Sequence, residues 1–161
     1  MTAADAADSR SVGIGAGPFY FLGLAIGFGV ERLIWAAPQV PGLGAVSCMA
    51  LGFGLVVAGV VLLSAARRAM HRADTPIDPA QPSRALVCDG IYSRSRNPVY
   101  VGGILIYSGI AIAGRSLVSL ALLSLVVTGV RYIVIAREEA YLRPRFGTVY
   151  EQYCSRVRRW I

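Results

Sequence analysis

Two short blocks of the chain carry the residue types best suited to chemistry. The first block covers residues 84–102 and the second covers residues 138–142, with an apolar stretch between them. In the first block, Tyr92 and Tyr100 can wall a pocket for an onium group, because aromatic faces attract such cations. In the second, Glu138 would be costly near a bilayer unless a cation or a hydrogen-bond donor met its carboxylate. These two blocks form the candidate site.

The other reactive side chains form no recognisable centre. His71 is the only histidine, and its arginine-rich surroundings favour contact with lipid headgroups over general base catalysis. The cysteines Cys48, Cys88 and Cys154 are too widely separated to suggest zinc or a disulfide framework. The glycines in residues 13–17 follow no predicted strand, so they do not make a dinucleotide loop. We therefore predict no metal site.

The composition favours a membrane protein. Hydrophobic residues make up 55% of the 161 residues, and the mean hydropathy of +0.57 exceeds what a soluble surface tolerates. The formal net charge is +7, and the 16 basic side chains are all arginines. Because these arginines lie between apolar runs, they point to anionic headgroups. We expect membrane lipid as a partner and no nucleic acid.

Four apolar segments supply the elements that would position the two blocks. They cover residues 18–35, 43–66, 99–113 and 117–130. The last two are joined by a short turn at residues 114–116 and predict a helical hairpin. Glycines 52, 54 and 59 in the second segment predict close packing between helices, because association in lipid depends on near approach of backbones.

The distribution of arginine predicts the orientation. The central loop is rich in arginine, and the loop between the first two apolar segments has none, so the central loop and both termini should be cytoplasmic. The acidic N-terminal stretch lacks the basic region of a signal peptide, so we expect the first segment to be retained. After Pro144, apolar residues recur at helical spacing and predict an amphipathic helix. Phe146, Tyr150, Tyr153, Val157, Trp160 and Ile161 form its apolar face. An interfacial anchor on anionic lipid and a catalytic role stay open for these residues.

The two blocks resemble a known family of membrane enzymes. The pattern LVxxGxYxxxRHPxYxG, a hairpin, EExxL and then FGxxYxxYxxxV is that of isoprenylcysteine carboxyl methyltransferases, which form a superfamily with phospholipid N-methyltransferases. Here it is matched by Leu86, Val87, Gly90, Tyr92, Arg96, Pro98, Tyr100 and Gly102, then Glu138, Glu139, Leu142, Phe146, Gly147, Tyr150, Tyr153 and Val157. The resemblance covers about half of the chain, from Arg84 onward.

The resemblance implies S-adenosyl-L-methionine as cofactor and a lipophilic small-molecule or lipid substrate. The residues that it implies in cofactor binding are Arg84, Ala85, Leu86, Val87, Tyr92, Asn97, Pro98, Val99, Tyr100 and Glu138. A carboxylate acceptor of the isoprenylcysteine type is the first expectation, since the family acts on that group. Methylation of a phospholipid or small amine is the alternative.

Two departures from the family pattern bear on catalysis. Asn97 stands where the family has histidine, and it keeps a donor and an acceptor but cannot titrate. Val134 stands where eukaryotic members have an arginine. At α-helical spacing Arg131 shares a face with Glu138, so we predict that Arg131 projects into the site, where it could hold an acceptor carboxylate. Two alternatives stay open: Arg137 serves the site instead, or Arg131 extends its side chain to the membrane edge. A hydroxyl or amine acceptor would need a proton acceptor, for which Glu139, and less so Tyr153, is the candidate.

The predicted fold is an all-α integral membrane protein of about four transmembrane helices, a cytoplasmic cofactor-binding loop and an amphipathic C-terminal helix. We expect a single domain over 1–161 in a bacterial inner membrane. It comprises disordered 1–16, two transmembrane helices in 18–66, a cytoplasmic loop 67–98, a hairpin 99–136 and a cytoplasmic segment 137–161. Two other functions stay open: a four-helix transporter that depends on Glu31, and a catalytically silent lipid-binding relative.

Overall fold

The structure, a computed structural model, describes residues 15–34, 44–76 and 83–161, and its regular elements are helices. Within these ranges the α-helices are α1 Gly17–Leu33, α2 Ala45–Arg72, α3 Pro98–Ala113, α4 Leu117–Gly129 and α5 Ala136–Arg156. A 3-10 turn, Gly90–Ser93, precedes α3, and a π-helical turn, Val130–Ile135, joins α4 to α5. The all-α prediction is confirmed. Most of the stretch predicted to be disordered, 1–16, lies outside the described residues.

Two helices of the described chain are long and apolar enough to cross a membrane. They are α2, with 28 residues, and the continuous helix Leu117–Arg156, with 40 residues; α3 is apolar but shorter. Large apolar side chains on these helices are open to the surroundings: Phe53 on α2 is 70% exposed and Leu125 on α4 is 68% exposed. Such surface suits contact with lipid. Four membrane crossings stay a prediction.

Helix α2 extends further than predicted. The sequence suggested an end at residue 66, because charged Arg67 and Arg68 follow. The helix instead continues to Arg72, and its last turn carries His71 and Arg72. Cations in a last turn interact favourably with the partial negative charge of the helix end. Residues 67–72 of the predicted loop are therefore helical.

The chain divides into two compact units. Among the described residues, the apolar unit comprises those within Ala16–Val61 and Tyr100–Val130, and the polar unit comprises those within Leu62–Val99 and Arg131–Ile161 together with Gly15. The prediction of one domain over the whole chain stays a prediction. Each unit is described by itself below.

In the apolar unit, glycines let α2 and α3 approach closely. A Cβ atom at Gly52 would lie 2.5 Å from the backbone oxygen of Gly109, and one at Gly59 would lie 2.7 Å from that of Gly102. Both positions are therefore closed to any side chain without a backbone shift. The packing prediction is confirmed for Gly52 and Gly59. It is wrong for Gly54, whose Cβ would meet open space among the described residues, because Gly54 faces away from α3.

The hairpin turn between α3 and α4 has the predicted position. Arg115 adopts a positive φ of 56°, and the Ser116 hydroxyl accepts a hydrogen bond from the backbone N–H of Ser119 at 3.0 Å, which caps α4. A second acceptor at this helix start comes from α1. The Glu31 carboxylate accepts a hydrogen bond from the backbone N–H of Val118 at 3.0 Å. Glu31 thus serves as a helix cap across two elements.

In the polar unit, α5 is kinked and ends earlier than predicted. Gly147 has φ 51° and ψ −130°, which breaks the helical path three residues after Pro144. The helix ends at Arg156, since Val157 is extended with φ −119° and ψ 130°. The prediction that Val157, Trp160 and Ile161 lie on one helical face with Tyr150 and Tyr153 is therefore wrong. The backbone leaves the helix there because Arg158 pairs with the 94–97 loop, through a hydrogen bond from the Arg96 N–H to the Arg158 carbonyl at 3.0 Å.

Candidate functional site

The first part of the candidate site, residues 83–87, is an extended stretch held through its backbone. The Thr75 hydroxyl accepts a hydrogen bond from the Ala85 N–H at 2.9 Å and donates to the Ala85 carbonyl at 3.3 Å. Tyr141 and Arg145 on α5 hold Ser83: its N–H donates to the Tyr141 hydroxyl at 3.3 Å, and its carbonyl accepts from Arg145 Nε at 2.6 Å. Backbone groups of Ala85 and Ser83 are thus fixed, while Leu86 and Val87 are half-buried.

Arg84 differs from its neighbours because its side chain turns to solvent. Its guanidinium forms an ion pair with Asp74 at 3.1 Å, and both side chains are mostly exposed. Exposed pairs contribute little to stability. The structure leaves Arg84 as a surface residue whose part in cofactor binding stays a prediction.

Tyr92 lies at the centre of the polar unit. Gly90, with φ 61°, starts the 3-10 turn that carries Tyr92 inward, and the Tyr92 ring is buried. The hydroxyl of Tyr153 donates to the Tyr92 carbonyl at 2.7 Å. Burial, and then the negative charge of Glu138, raise the pKa of Tyr92. The charge of Glu138 therefore acts on Tyr92, although the two residues come from separate sequence blocks.

Asn97 is buried where the loop enters α3. Its side-chain nitrogen donates to the backbone carbonyl of Arg159 at 2.9 Å, and its N–H donates to the Ser95 hydroxyl at 3.2 Å. Pro98, which begins α3, is fully buried, and Val99 is half-buried. The donor of Asn97 is thus used on the 157–161 segment. Tyr100 belongs to the apolar unit, where its carbonyl accepts from the Tyr20 hydroxyl at 3.0 Å. A role for Tyr100 in the site stays a prediction.

Glu139 is the centre of an ion cluster with two arginines. Arg159 donates to both carboxylate oxygens, from Nε at 3.0 Å and from a terminal nitrogen at 2.7 Å. A terminal nitrogen of Arg96 lies 3.5 Å from the Glu139 carboxylate, and the Glu139 and Arg96 side chains are only 13% and 15% exposed. The hydrogen bond to Glu139 raises the pKa of Arg159. The cluster carries a net single positive charge, because two guanidinium groups face one carboxylate.

Arg96 has one buried nitrogen that makes no hydrogen bond among the described residues. This nitrogen is Nε, whereas a terminal nitrogen contacts the Cys154 sulfur. A buried donor without a partner is costly, so it marks a place where an acceptor group fits. Arg96 belongs to the sequence motif, but the motif indicates no role for it. Arg159 could not be predicted as a site residue, because no local pattern separates it from the other arginines of the C-terminal region.

Arg131 does not have the surroundings that the sequence suggested. It is exposed, and its guanidinium lies 5.2 Å from the centre of the Tyr132 ring. It stands in the π-helical turn, which holds one more residue in each turn than an α-helix. The α-helical spacing that placed Arg131 beside Glu138 therefore does not apply. Arg137 is exposed as well. The catalytic roles given to Arg131 and Glu139 stay predictions.

Comparison with known proteins identifies the family. A family model described as phospholipid methyltransferase matches residues 47–149, which is more than half of the chain. The chain belongs to the phospholipid methyltransferase family. The resemblance seen in the sequence is thereby confirmed. The family match contains both sequence blocks of the candidate site, whereas Arg159 lies beyond it.

A curated relative gives a more specific likeness over a shorter stretch. The chain is 43% identical over 72 residues to a protein-S-isoprenylcysteine O-methyltransferase of Schizosaccharomyces pombe (strain 972 / ATCC 24843). Those residues are 45% of this chain and 30% of that relative, so the chain spans less than a third of the relative's length. No solved structure matches this member of the phospholipid methyltransferase family significantly.

Proposed function

We propose that the protein is an integral membrane methyltransferase that uses S-adenosyl-L-methionine and acts on the carboxylate of a lipophilic acceptor of the isoprenylcysteine type. The observation that carries the proposal is the net positive cluster of Arg96, Glu139 and Arg159, in which the Arg96 and Glu139 side chains are largely buried. The cluster stands in the same unit as Tyr92 and Glu138. Family membership and the likeness to the isoprenylcysteine enzyme support it.

The donor set of the polar unit fits the cofactor. A buried aromatic ring, Tyr92, and a carboxylate whose charge acts on it, Glu138, suit a sulfonium cation with an amino group, because both side chains attract positive charge. When bound, the cofactor would supply an electrophilic methyl group. The extended stretch 84–87, with Pro98, Val99 and the side-chain oxygen of Asn97, would contribute the remaining contacts, since the Asn97 nitrogen is used on the Arg159 carbonyl.

The ion cluster fits an acceptor that is an anion. Arg96 offers the buried Nε that lacks a partner in the described residues, and a carboxylate oxygen is an acceptor of the right charge. A carboxylate needs alignment and exclusion of water to attack a methyl carbon, and it needs no base. This agrees with Asn97, which cannot titrate, in the position of the family histidine.

The match to the phospholipid methyltransferase family also favours a second candidate, N-methylation of a phospholipid amine. An amine must lose a proton, and Glu139 is the predicted acceptor. Both oxygens of Glu139 already accept hydrogen bonds from Arg159. A net positive cluster also repels an ammonium group. The carboxylate acceptor is therefore preferred.

Transfer of a labelled methyl group to two probes tests the choice. Purified protein in detergent should methylate N-acetyl-S-farnesylcysteine, whose amine is blocked so that the carboxylate is the acceptor, and not phosphatidylethanolamine in mixed micelles. Arg96→Gln should raise the KM for N-acetyl-S-farnesylcysteine about tenfold or more, because a charged hydrogen bond contributes roughly 1.5–3 kcal/mol. Arg94→Gln, an exposed substitution in the same loop, is the matched control. Methylation of phosphatidylethanolamine alone would overturn the carboxylate proposal.

We further propose that the polar unit faces the cytoplasm and that both termini do so. The described part of this unit holds Arg67, Arg68, Arg72, Arg84, Arg94, Arg96, Arg131, Arg137, Arg143, Arg145, Arg156, Arg158 and Arg159. Arginine next to membrane spans is retained on the inner side. A multi-pass protein of a bacterial inner membrane is the arrangement that we propose, with the lipophilic substrate reaching the site from the bilayer.

A further inference from the structure

We propose that Asn97 is a positioning residue that acts through the 157–161 segment. In this proposal the Asn97 amide holds the segment against the 94–97 loop, and the segment in turn places Arg159 on Glu139. The consequence for catalysis rests on the proposed methyltransferase function, whereas the holding of the segment does not.

Three hydrogen bonds converge on the segment from consecutive residues. The Arg96 N–H donates to the Arg158 carbonyl at 3.0 Å, the Asn97 side chain donates to the Arg159 carbonyl at 2.9 Å, and the Ser95 hydroxyl reaches the same carbonyl at 3.5 Å. Ser95 and Asn97 are both buried. The Asn97 bond is the shortest of the three and the only one of them made by an amide side chain. It is therefore the main side-chain contact from the 94–97 loop to the backbone of the segment, in addition to the ion pair that the Arg159 side chain makes with Glu139.

The same segment controls the ion cluster. Arg159 takes both oxygens of Glu139, at 3.0 Å and 2.7 Å, and leaves Arg96 a longer contact of 3.5 Å. If the segment were released, Arg159 would leave and Arg96 would be the remaining buried cation beside Glu139. The two would then pair directly, since a buried charge requires a partner. That pairing would draw Arg96 away from an incoming carboxylate.

Asn97, which stands in the position of the family histidine, can hold the segment without gaining or losing a proton. A side-chain amide offers the donor that the Arg159 carbonyl needs at any pH. A protonated imidazole nitrogen is also a donor, so a histidine at position 97 can make the same contact. A leucine has a similar size and no donor.

Trypsin tests the hold on the segment directly, because the segment contains cleavage sites after Arg158 and Arg159. Intact-mass spectrometry of the purified protein in detergent would follow the cleavage rate. Asn97→Leu should be cleaved about tenfold faster than the starting protein, as loss of a buried hydrogen bond predicts. Asn97→His should be cleaved at the original rate. Ser155→Ala removes an exposed hydrogen bond to Gln152 and is the matched control. Cleavage of Asn97→Leu at the original rate overturns the proposal, whatever the activity.

Kinetics test the link to the site. Asn97→Leu should raise the KM for N-acetyl-S-farnesylcysteine. The double variant with Arg159→Gln should have a KM no higher than that of the more strongly affected single variant, because both substitutions act through one segment. Arg159→Gln alone tests the same link if Asn97→Leu fails to fold. Additive effects, or an unchanged KM with fast cleavage, would overturn the link. Absence of any methyl transfer by the starting protein would instead overturn the proposed function, and the cleavage result would still decide the hold.

Discussion

At the scale of the single residue, Tyr92 shows how burial and one neighbouring charge set a protonation state. Its pKa is raised, first by burial and then by Glu138, so the folded protein holds the phenol proton more tightly than the unfolded chain does. The stability due to this shift is complete below the unfolded pKa of about 10 and is lost as the pH rises above it. The site therefore works with a neutral Tyr92 at physiological pH.

The raised pKa of Tyr92 predicts how the stability of the protein changes at alkaline pH. The free energy of unfolding should fall as the pH rises above about 10. Tyr92→Phe should make this fall less steep, by an amount that corresponds to at most one titrating proton. Thermal denaturation in detergent, followed by circular dichroism between pH 8 and pH 11, measures the slope. Tyr132→Phe, at an exposed position, is the control. An unchanged slope in Tyr92→Phe would contradict the assignment.

At the scale of the helix, close contacts decide which glycines matter. Gly59→Ala would bring a Cβ to 2.7 Å from the Gly102 backbone oxygen, so α2 and α3 would have to separate. We expect a loss of about 1–3 kcal/mol in stability, typical of overpacking. Gly54→Ala is the matched control on the same helix, and there the added methyl group meets open space among the described residues. Equal melting temperatures of the two variants would refute this packing.

Glu31 gives a second prediction at the same scale, and it separates the proposed enzyme from a transporter. Its carboxylate caps the start of α4 through the Val118 N–H. Glu31→Gln retains a carbonyl acceptor, so it should retain methyl transfer, whereas Glu31→Ala should cost about 0.5–2 kcal/mol of stability, as for lost helix caps. Assays of methyl transfer and melting temperature test both. Loss of function in a stable Glu31→Gln variant would favour the transporter.

At the scale of the whole molecule, orientation in the membrane is open to a labelling test. In a background without cysteine, Gly44→Cys and Arg84→Cys place a thiol at two exposed positions of the described chain. An impermeant maleimide should label position 44 in intact cells and position 84 only after permeabilisation, because arginine-rich segments stay inside. Labelling of position 84 in intact cells would reverse the proposed orientation.

Much of the fold could be predicted from the sequence because hydrophobic runs end at clear signals. The hairpin is the best case: residues 114–116 separate two apolar runs, and α3 and α4 end and begin at Ala113 and Leu117. The end of α2 does not follow from the sequence, because Arg67 and Arg68 indicate only the end of an apolar run and a helix can continue past the bilayer. Gly54 could not be told from Gly59, since the face that meets α3 depends on helix rotation.

The candidate site was predictable only in part, for a similar reason. The two blocks identified Tyr92 and Glu138, because each is fixed by a local motif. The pairing of Glu139 with Arg159 joins residues that are far apart in sequence, so no helical spacing predicts it. It also depends on the chain leaving the helix at Val157. The π-helical turn, which displaces Arg131 from its expected face, has no sequence signal among residues of such uniform hydrophobicity.

Calorimetric binding of S-adenosyl-L-methionine to the purified protein in detergent tests the central claim most directly. We predict saturable binding to one site, weakened about tenfold or more in Glu138→Ala, because a hydrogen bond to a charged group is lost. Glu151→Ala, which removes an exposed carboxylate from the same helix, should bind as the starting protein does. Absence of binding by well-folded protein, or equal binding by Glu138→Ala, would contradict the cofactor site described for the polar unit.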